Sequence, residues 1–125
     1  MTIHFEASIE GTLLRCRAWG SDDDLEDVNR YGLAIITACS EGDCDKALLD
    51  ERELKYDLSI SDTFKLAEYY SNQMQKLLPK VIKTAIVCDR EFMKEAGFWE
   101  NTSANRGLNV KVFTSTDSAA QWLDG

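Results

Sequence analysis

Residues 81–88 are the most strand-like segment of the chain, and they limit the folds that it can adopt. Only Lys83 and Thr84 are polar in the stretch V-I-K-T-A-I-V-C. A near-continuous apolar run of this length is typical of a central strand that is covered on both faces. Since other elements must then pack above and below it, the run predicts a sheet with helices packed on it.

Alternating apolar and polar side chains predict a β-hairpin at the start of the chain. The alternation runs through residues 3–9 and again through residues 12–19, with Glu10-Gly11 as the expected turn. A two-residue loop there sets Glu6 opposite Arg15, and opposite charges across a strand pair favour that register.

Helix-like and strand-like segments alternate along the remainder of the chain. Expected helices cover about 22–40, 61–77, 91–105 and 116–123, and expected strands cover 46–49, 81–88 and 110–113. Residues 51–58 are expected to be irregular, with a brief extended segment at 54–56 as an alternative. The order is therefore β-β-α-β-α-β-α-β-α in a single domain, 1–125, of α/β class. Strand–helix–strand units imply parallel neighbours, so the sheet is mixed and only its first strand is antiparallel.

The second helix has a predicted start and a predicted buried face. Ser61 is the expected N-cap, because a short acceptor side chain satisfies free amides of the first turn. Pro79 is expected just after the end of the helix. The expected buried stripe has helical spacing and consists of Phe64, Ala67, Tyr70, Met74 and Leu77.

Charge and cysteine content exclude several classes of function. The net charge of −8 repels phosphates, so neither nucleic acid nor an anionic membrane surface is an expected partner. The longest apolar stretch, 33–39, is too short to span a bilayer, and residues 1–6 do not resemble a signal peptide, so we expect a cytoplasmic protein. The four cysteines are expected to be free and mostly buried, with a redox role for Cys39 and Cys44 as an alternative.

No complete catalytic or cofactor site can be assembled from the residues. His4 is the one histidine, and neither a zinc pattern, a nucleophile elbow nor a phosphate-binding glycine loop occurs. We therefore expect no enzyme activity, no metal and no cofactor.

One edge of the predicted sheet collects polar residues. Ligands of open α/β sheets tend to bind at the carboxyl ends of parallel strands. Six residues are expected there as a candidate binding or regulatory rim: Asp50, Arg52, Ser59, Ser61, Asp89 and Arg90. The alternative is that these side chains only cap helices and solvate loops.

Three segments together resemble a known family. They are Leu48-Leu49-Asp50 with Arg52 and Leu54, then Lys83-Thr84-Ala85-Ile86-Val87, and last Val110-Lys111-Val112-Phe113 with Ala119, Ala120, Trp122 and Leu123. In this order they resemble the SpoIIAA-like proteins, relatives of the sulfate-transporter and anti-sigma-antagonist (STAS) domain. The resemblance implies a mixed sheet with helices mainly on one side. It also implies regulatory or ligand-binding work, and a shape similar to lipid carriers of the CRAL-TRIO type.

The chain departs from that family at its phosphorylation turn. Antagonist domains carry a phosphorylatable serine in a D-S-[ST]-G turn at the start of the helix after the third strand. The corresponding stretch, 56–62, keeps Asp57 and Ser59 but lacks the glycine and the paired hydroxyls. Phosphorylation of Ser59 or Ser61 is therefore an alternative to simple helix capping.

Three functional hypotheses follow. The first is a non-enzymatic regulatory or protein-interaction module of the SpoIIAA-like class. The second is a domain that binds a small apolar molecule or a lipid, which a mainly apolar cavity of ~300 Å³ or more would favour. The third is a hydrolase-like enzyme, which the missing catalytic groups disfavour. Homodimerisation is compatible with the first two.

Overall fold

The computed structural model describes residues 2–77, 82–105 and 107–125, without the side chains of 74 and 75. The α/β class and the order of elements predicted from the sequence are confirmed. The strands are β1 (Ile3–Glu10), β2 (Leu13–Ser21), β3 (Lys46–Lys55), β4 (Lys83–Cys88) and β5 (Asn109–Phe113). The helices are α1 (Leu25–Glu41), α2 (Ile60–Leu77), α3 (Met93–Ala104) and α4 (Thr116–Asp124), and a short 3-10 turn, Arg90–Phe92, precedes α3.

The strands lie in one mixed sheet in the order β1-β2-β3-β4-β5. β1 is antiparallel to β2, and every later neighbour is parallel, as predicted. In β4, the side chains of Ala85, Ile86 and Val87 are at most 4% exposed, so the covered central strand is also confirmed. Val81, the predicted first residue of that strand, lies outside the described residues.

The predicted register of the hairpin is wrong by two residues. Glu6 faces Arg17 rather than Arg15, and the loop is Gly11-Thr12. Gly11 has a φ of +62°, and a two-residue hairpin loop with a positive φ at its first position favours glycine there. Because side chains alternate with a period of two, an even shift leaves the apolar face of the hairpin unchanged.

β3 is longer than the sequence predicted. Residues 50–55 continue the strand instead of forming a loop, because Glu53, Leu54 and Lys55 pair with the end of β2 beyond a bulge. Leu54 is 3% exposed, so this extension carries part of the core. β4 stops opposite Glu51, and the last residues of β3 therefore extend past it.

The helices cover the two faces of the sheet unequally. Tyr31, Ile35 and Cys39 of α1 and Ala96 of α3 pack on one face, and α2 lies across α1 and α3. On the other face, α4 packs on β3 and β4 through Ala119 and Leu123. Three of the four helices thus lie on one side, which is the arrangement that the family resemblance implied.

The predicted cap of α2 is wrong by two residues. The Ser59 hydroxyl oxygen accepts a hydrogen bond from the backbone N–H of Asp62 at 3.1 Å, so Ser59 caps the helix. Ser61 is exposed in the first turn. Asp24 caps α1, because its side chain accepts a hydrogen bond from the backbone N–H of Glu26 at 3.1 Å.

The buried face of α2 also differs from the prediction. Ala67 and Tyr70 are buried as expected, but Leu66 joins them in place of Phe64 and Leu77. Phe64 is 42% exposed and Leu77 is 43% exposed. The buried face of α2 therefore shares Ala67 and Tyr70 with the predicted stripe, whereas Phe64 and Leu77 of that stripe are exposed. The side chain of Met74 and the whole of Pro79 lie outside the described residues.

Candidate functional site

The structure divides the six predicted rim residues into three separate pairs. Asp50 and Arg52 lie on β3 and, like Leu48, on the face of the sheet that α4 partly covers. Ser59 and Ser61 lie at the start of α2, on the opposite face. Asp89 and Arg90 follow β4, where Asp89 Oδ1 accepts from the backbone N–H of Glu91 at 2.8 Å. No hydrogen bond among the described residues joins one pair to another.

Asp50 and Arg52 form a two-point ion pair. Arg52 Nε donates to Asp50 Oδ1 at 2.9 Å, and Arg52 Nη2 donates to Asp50 Oδ2 at 2.7 Å. These hydrogen bonds lower the pKa of Asp50 and raise that of Arg52. The Arg52 side chain is 49% exposed, so water screens the pair and it stabilises the fold little.

Glu51, which is not one of the six predicted rim residues, lies between Asp50 and Arg52 and points to the other face of the sheet. Glu51 is 6% exposed, whereas the prediction placed it in a solvated loop. The Tyr31 hydroxyl donates to Glu51 Oε2 at 2.7 Å, and the Tyr56 hydroxyl donates to Oε1. A signal for this was present, because a strand that continues beyond Leu49 places Glu51 on the same inward face.

The electrostatics of this cluster follow from its burial. Burial raises the pKa of Glu51, the carboxylates of Asp22 and Asp50 act in the same direction, and the two tyrosine hydrogen bonds oppose them. The pKa values of Tyr31 and Tyr56 lie well above 10, because both phenols are buried beside Glu51. Both phenols therefore stay protonated at neutral pH and can donate to Glu51.

A cavity of about 160 Å³ adjoins Glu51 between the sheet and the helices. Most of its lining is apolar. The apolar lining includes Leu49, Ile82 and Ile86, which are all buried. The exposed Glu95 of α3 and the half-buried Asp22 lie nearer to solvent, at the carboxyl ends of the strands. The remaining lining residues include Tyr31, Ile35, Ile36, Tyr56, Leu66, Tyr70, Trp99, Leu108 and Val110.

The four thiols are buried and free. Burial raises the pKa of Cys16 and of Cys39 to about 12, and that of Cys88 to about 11, with Glu51 and Asp89 adding to the effect at Cys88. The neighbouring thiol of Cys44 also raises the pKa of Cys39. A raised pKa leaves little thiolate at neutral pH, so these groups are weak nucleophiles.

Groups that could support metal binding or acid–base chemistry are sparse. His4 is exposed on β1, stacks on Trp19 with a distance of 5.8 Å between ring centroids, and is not one of the residues that line the cavity. Within the described residues, no cluster of three or more histidine, cysteine or acidic side chains could hold a metal ion. No helix in the described part of the chain has the length and apolar character needed to cross a bilayer.

Two solved structures share this architecture over nearly the whole chain. The first is a crystal structure of an anti-sigma factor antagonist from Mycobacterium paratuberculosis, with a TM-score of 0.65 and 11% sequence identity, covering 99% of this chain and 96% of that one. This chain has the fold of the anti-sigma factor antagonists. The second is the anti-sigma factor antagonist SpoIIAA in its unphosphorylated form, with a TM-score of 0.62 and 12% identity, covering 98% and 97%.

The resemblance inferred from the sequence is therefore confirmed at the level of the STAS fold. No protein-family model matches the sequence, and no curated protein matches it either.

Proposed function

We propose that the chain is a non-enzymatic regulatory module that binds a protein partner through the start of α2. The observation that carries the proposal is the exposure of large apolar side chains there. Ile60 is 65% exposed and Phe64 is 42% exposed. Phe64 meets the half-buried Phe98 of α3 edge to face, with 5.2 Å between ring centroids. We call Ile60, Phe64 and Phe98 the α2 patch.

Exposed apolar residues that lie together and are bordered by polar groups are typical of protein-binding surfaces. The α2 patch adjoins Ser59 and Ser61, so it includes one pair of the predicted rim. The fold shared with two anti-sigma factor antagonists supports a partner of the anti-sigma factor type. We propose that residues 1–125 act as one such unit. The four free, buried cysteines favour the reducing environment of the cytoplasm.

Binding to purified anti-sigma factors of the source organism tests this proposal. Biolayer interferometry with the wild-type protein should find a partner with a dissociation constant in the micromolar range or below. Ile60→Ser and Phe64→Ser should each weaken it at least ~10-fold, since a buried apolar anchor typically contributes more than ~1 kcal/mol. Leu77→Ser is the matched control, because Leu77 is 43% exposed at the other end of the same helix. Failure to bind any anti-sigma factor contradicts the proposal, and so does equal binding by all three variants.

Phosphorylation would act on the same surface. Ser61 is exposed in the first turn of α2, where the helix dipole favours negative charge, whereas the Ser59 hydroxyl already accepts the capping bond. Incubation with a kinase panel followed by mass spectrometry tests this switch. We expect phosphate on Ser61 rather than on Ser59, and an unmodified protein would argue against a switch. Asp50, Arg52, Asp89 and Arg90 stay predicted binding residues, and alanine variants in the same binding assay test them.

The volume of the cavity bears on the lipid-carrier alternative. About 160 Å³ is roughly half of the smallest pocket that holds a drug-sized ligand. A lipid chain is larger still, so the protein-binding proposal has the better support.

A second copy of the chain could also cover the α2 patch. Sedimentation of the wild-type protein and of Phe64→Ser tests this, because a dimer formed through the patch would dissociate in the variant.

A further inference from the structure

We propose that the cavity beside Glu51 is a binding site for a small organic cation, namely a primary amine on a body about as large as one aromatic ring. The site is separate from the α2 patch and lies under it, between the sheet and the three helices of that face. Three observations carry the proposal: the volume of the cavity, the signs of the charges in its lining, and the aromatic rings around it.

The volume sets the size of the ligand. Cavities of ~150 Å³ with an apolar lining stay dry and admit benzene, so about 160 Å³ accommodates a ring with one short substituent. Leu49, Ile82, Ile86 and Val110 supply apolar surface for such a body. A larger ligand would require the helices to move.

The charges in the lining determine the sign of the charge that the ligand must carry. Three carboxyl groups line the cavity, those of Asp22, Glu51 and Glu95, and none of the described lining residues is a lysine, arginine or histidine. Each oxygen of Glu51 accepts one tyrosine hydrogen bond, and a carboxylate oxygen has room for two. The free acceptor positions suit an ammonium group, whose charge would also stabilise the ionised form of Glu51, since none of the described lining residues carries a positive charge. An anionic ligand would meet like charge.

Aromatic side chains complete the environment of a cation. Tyr31, Tyr56, Tyr70 and Trp99 all line the cavity. The Tyr70 and Trp99 rings meet edge to face at 5.9 Å between centroids, so their faces are directed differently. Electron-rich ring faces attract organic ammonium groups, most strongly where water is excluded.

The position of the more exposed lining groups indicates the route of entry. Glu95 is exposed and Asp22 and Thr63 are half-buried, so the polar end of the cavity lies nearer to solvent at the carboxyl ends of the strands. This is the edge at which open α/β sheets bind ligands. A cation approaching it meets acidic side chains first, and Glu51 lies further in, at 6% exposure.

A set of three probes of similar shape tests the proposal on the wild-type protein. Benzylamine, benzyl alcohol and benzoate share the ring and differ in charge. Titrations followed by two-dimensional amide NMR should show saturable shifts at Thr84, Ile86 and Val110. Benzylamine should bind at least ~10-fold more tightly than benzyl alcohol, since a hydrogen bond between charged groups is stronger than one made by a neutral hydroxyl. Benzoate should not bind. This ranking needs no variant, so it does not depend on the folding of one.

Variants then assign the selectivity to Glu51. Glu51→Gln should weaken benzylamine binding ~10-fold or more and leave benzyl alcohol within ~3-fold, which also shows that its cavity is intact. Glu53→Gln is the matched control on the same strand, because Glu53 is 61% exposed and pairs with Arg17 outside the cavity. The proposal is overturned if no probe binds at millimolar concentration, if benzoate binds as well as benzylamine, or if Glu53→Gln acts like Glu51→Gln.

Discussion

Removal of the hydrogen bond from Tyr31 to Glu51 tests how much that bond stabilises the buried carboxyl group. Tyr31→Phe removes the hydroxyl and keeps the ring. Both residues are 6% exposed and their oxygens are 2.7 Å apart, so water cannot easily replace the lost donor. A hydrogen bond to an ionised partner contributes ~1.5–3 kcal/mol, against ~1 kcal/mol for a neutral pair. We expect the variant to lose ~2 kcal/mol of the free energy of unfolding once Glu51 is ionised.

The loss should grow with pH. Burial raises the pKa of Glu51 above its ordinary value of 4.5, so the folded state binds more protons than the unfolded state between those two values. The contribution of Glu51 to the free energy of unfolding is therefore complete below about pH 4.5. It is lost as the pH rises through the pKa that Glu51 has in the folded state. The Tyr31 hydrogen bond lowers that folded pKa, whereas Asp22 and Asp50 raise it. Without the hydroxyl, the folded pKa rises further and the loss of stability with pH becomes larger.

Urea unfolding followed by circular dichroism measures both effects. A loss of ~2 kcal/mol moves the midpoint by ~1 M, given a typical dependence of ~2 kcal/mol per molar urea. Tyr70→Phe is the matched control, because the Tyr70 hydroxyl donates to the neutral carbonyl of Val28 at 2.7 Å. It should lose ~1 kcal/mol at every pH. Equal losses in the two variants across the range would refute the assignment of Glu51 as a buried ionisable acceptor.

Two further predictions concern the glycines and the thiols. A Cβ at Gly32 would lie 2.1 Å from the Tyr70 hydroxyl, so Gly32→Ala should destabilise the protein by ~1–3 kcal/mol in urea unfolding, although alanine favours helix. Gly97→Ala, where a Cβ meets nothing within 4 Å, should instead stabilise it by up to ~1 kcal/mol, and a loss there would contradict the packing argument. Cys16 and Cys39, each with a pKa of about 12, should react with iodoacetamide far more slowly in native protein at pH 8 than in urea. Equal rates in the two conditions would show that these thiols are not buried.

Local sequence patterns predicted the positions of the strands and helices better than they predicted which residues pair between strands. The hairpin shows why, since alternation identifies which residues share a face but not which residues face each other. Sliding one strand by two positions keeps every apolar side chain inward, and the charge pair Glu6–Arg15 could be exchanged for Glu6–Arg17 at little difference in energy. The conformation of Gly11 decided between them, and that conformation follows from the turn rather than from the strands.

The neighbours of Glu51 in the sequence obscured its burial. Asp50, Glu51, Arg52 and Glu53 form a run of charged residues, which is typical of a solvated loop. Glu51 can be buried because its oxygens accept hydrogen bonds from the hydroxyl of Tyr31, 20 residues away on α1, and from that of Tyr56. Which apolar side chains of α2 are buried likewise depends on α1 and α3. Contacts between segments that are distant in the sequence produce no local periodic pattern of apolar residues. The same contacts form the walls of the cavity.

The strand order of the sheet has a consequence for synthesis of the chain. Every strand pairs with the one before it, so each new strand–helix unit can add to an edge that is already formed. α4 is the exception, because among the described helices it is the one that packs on Leu48, Ala85 and Val87 on the second face. Until residues 116–124 leave the ribosome, that apolar surface stays open to water and to other chains. The nascent protein is thus prone to aggregate before α4 emerges.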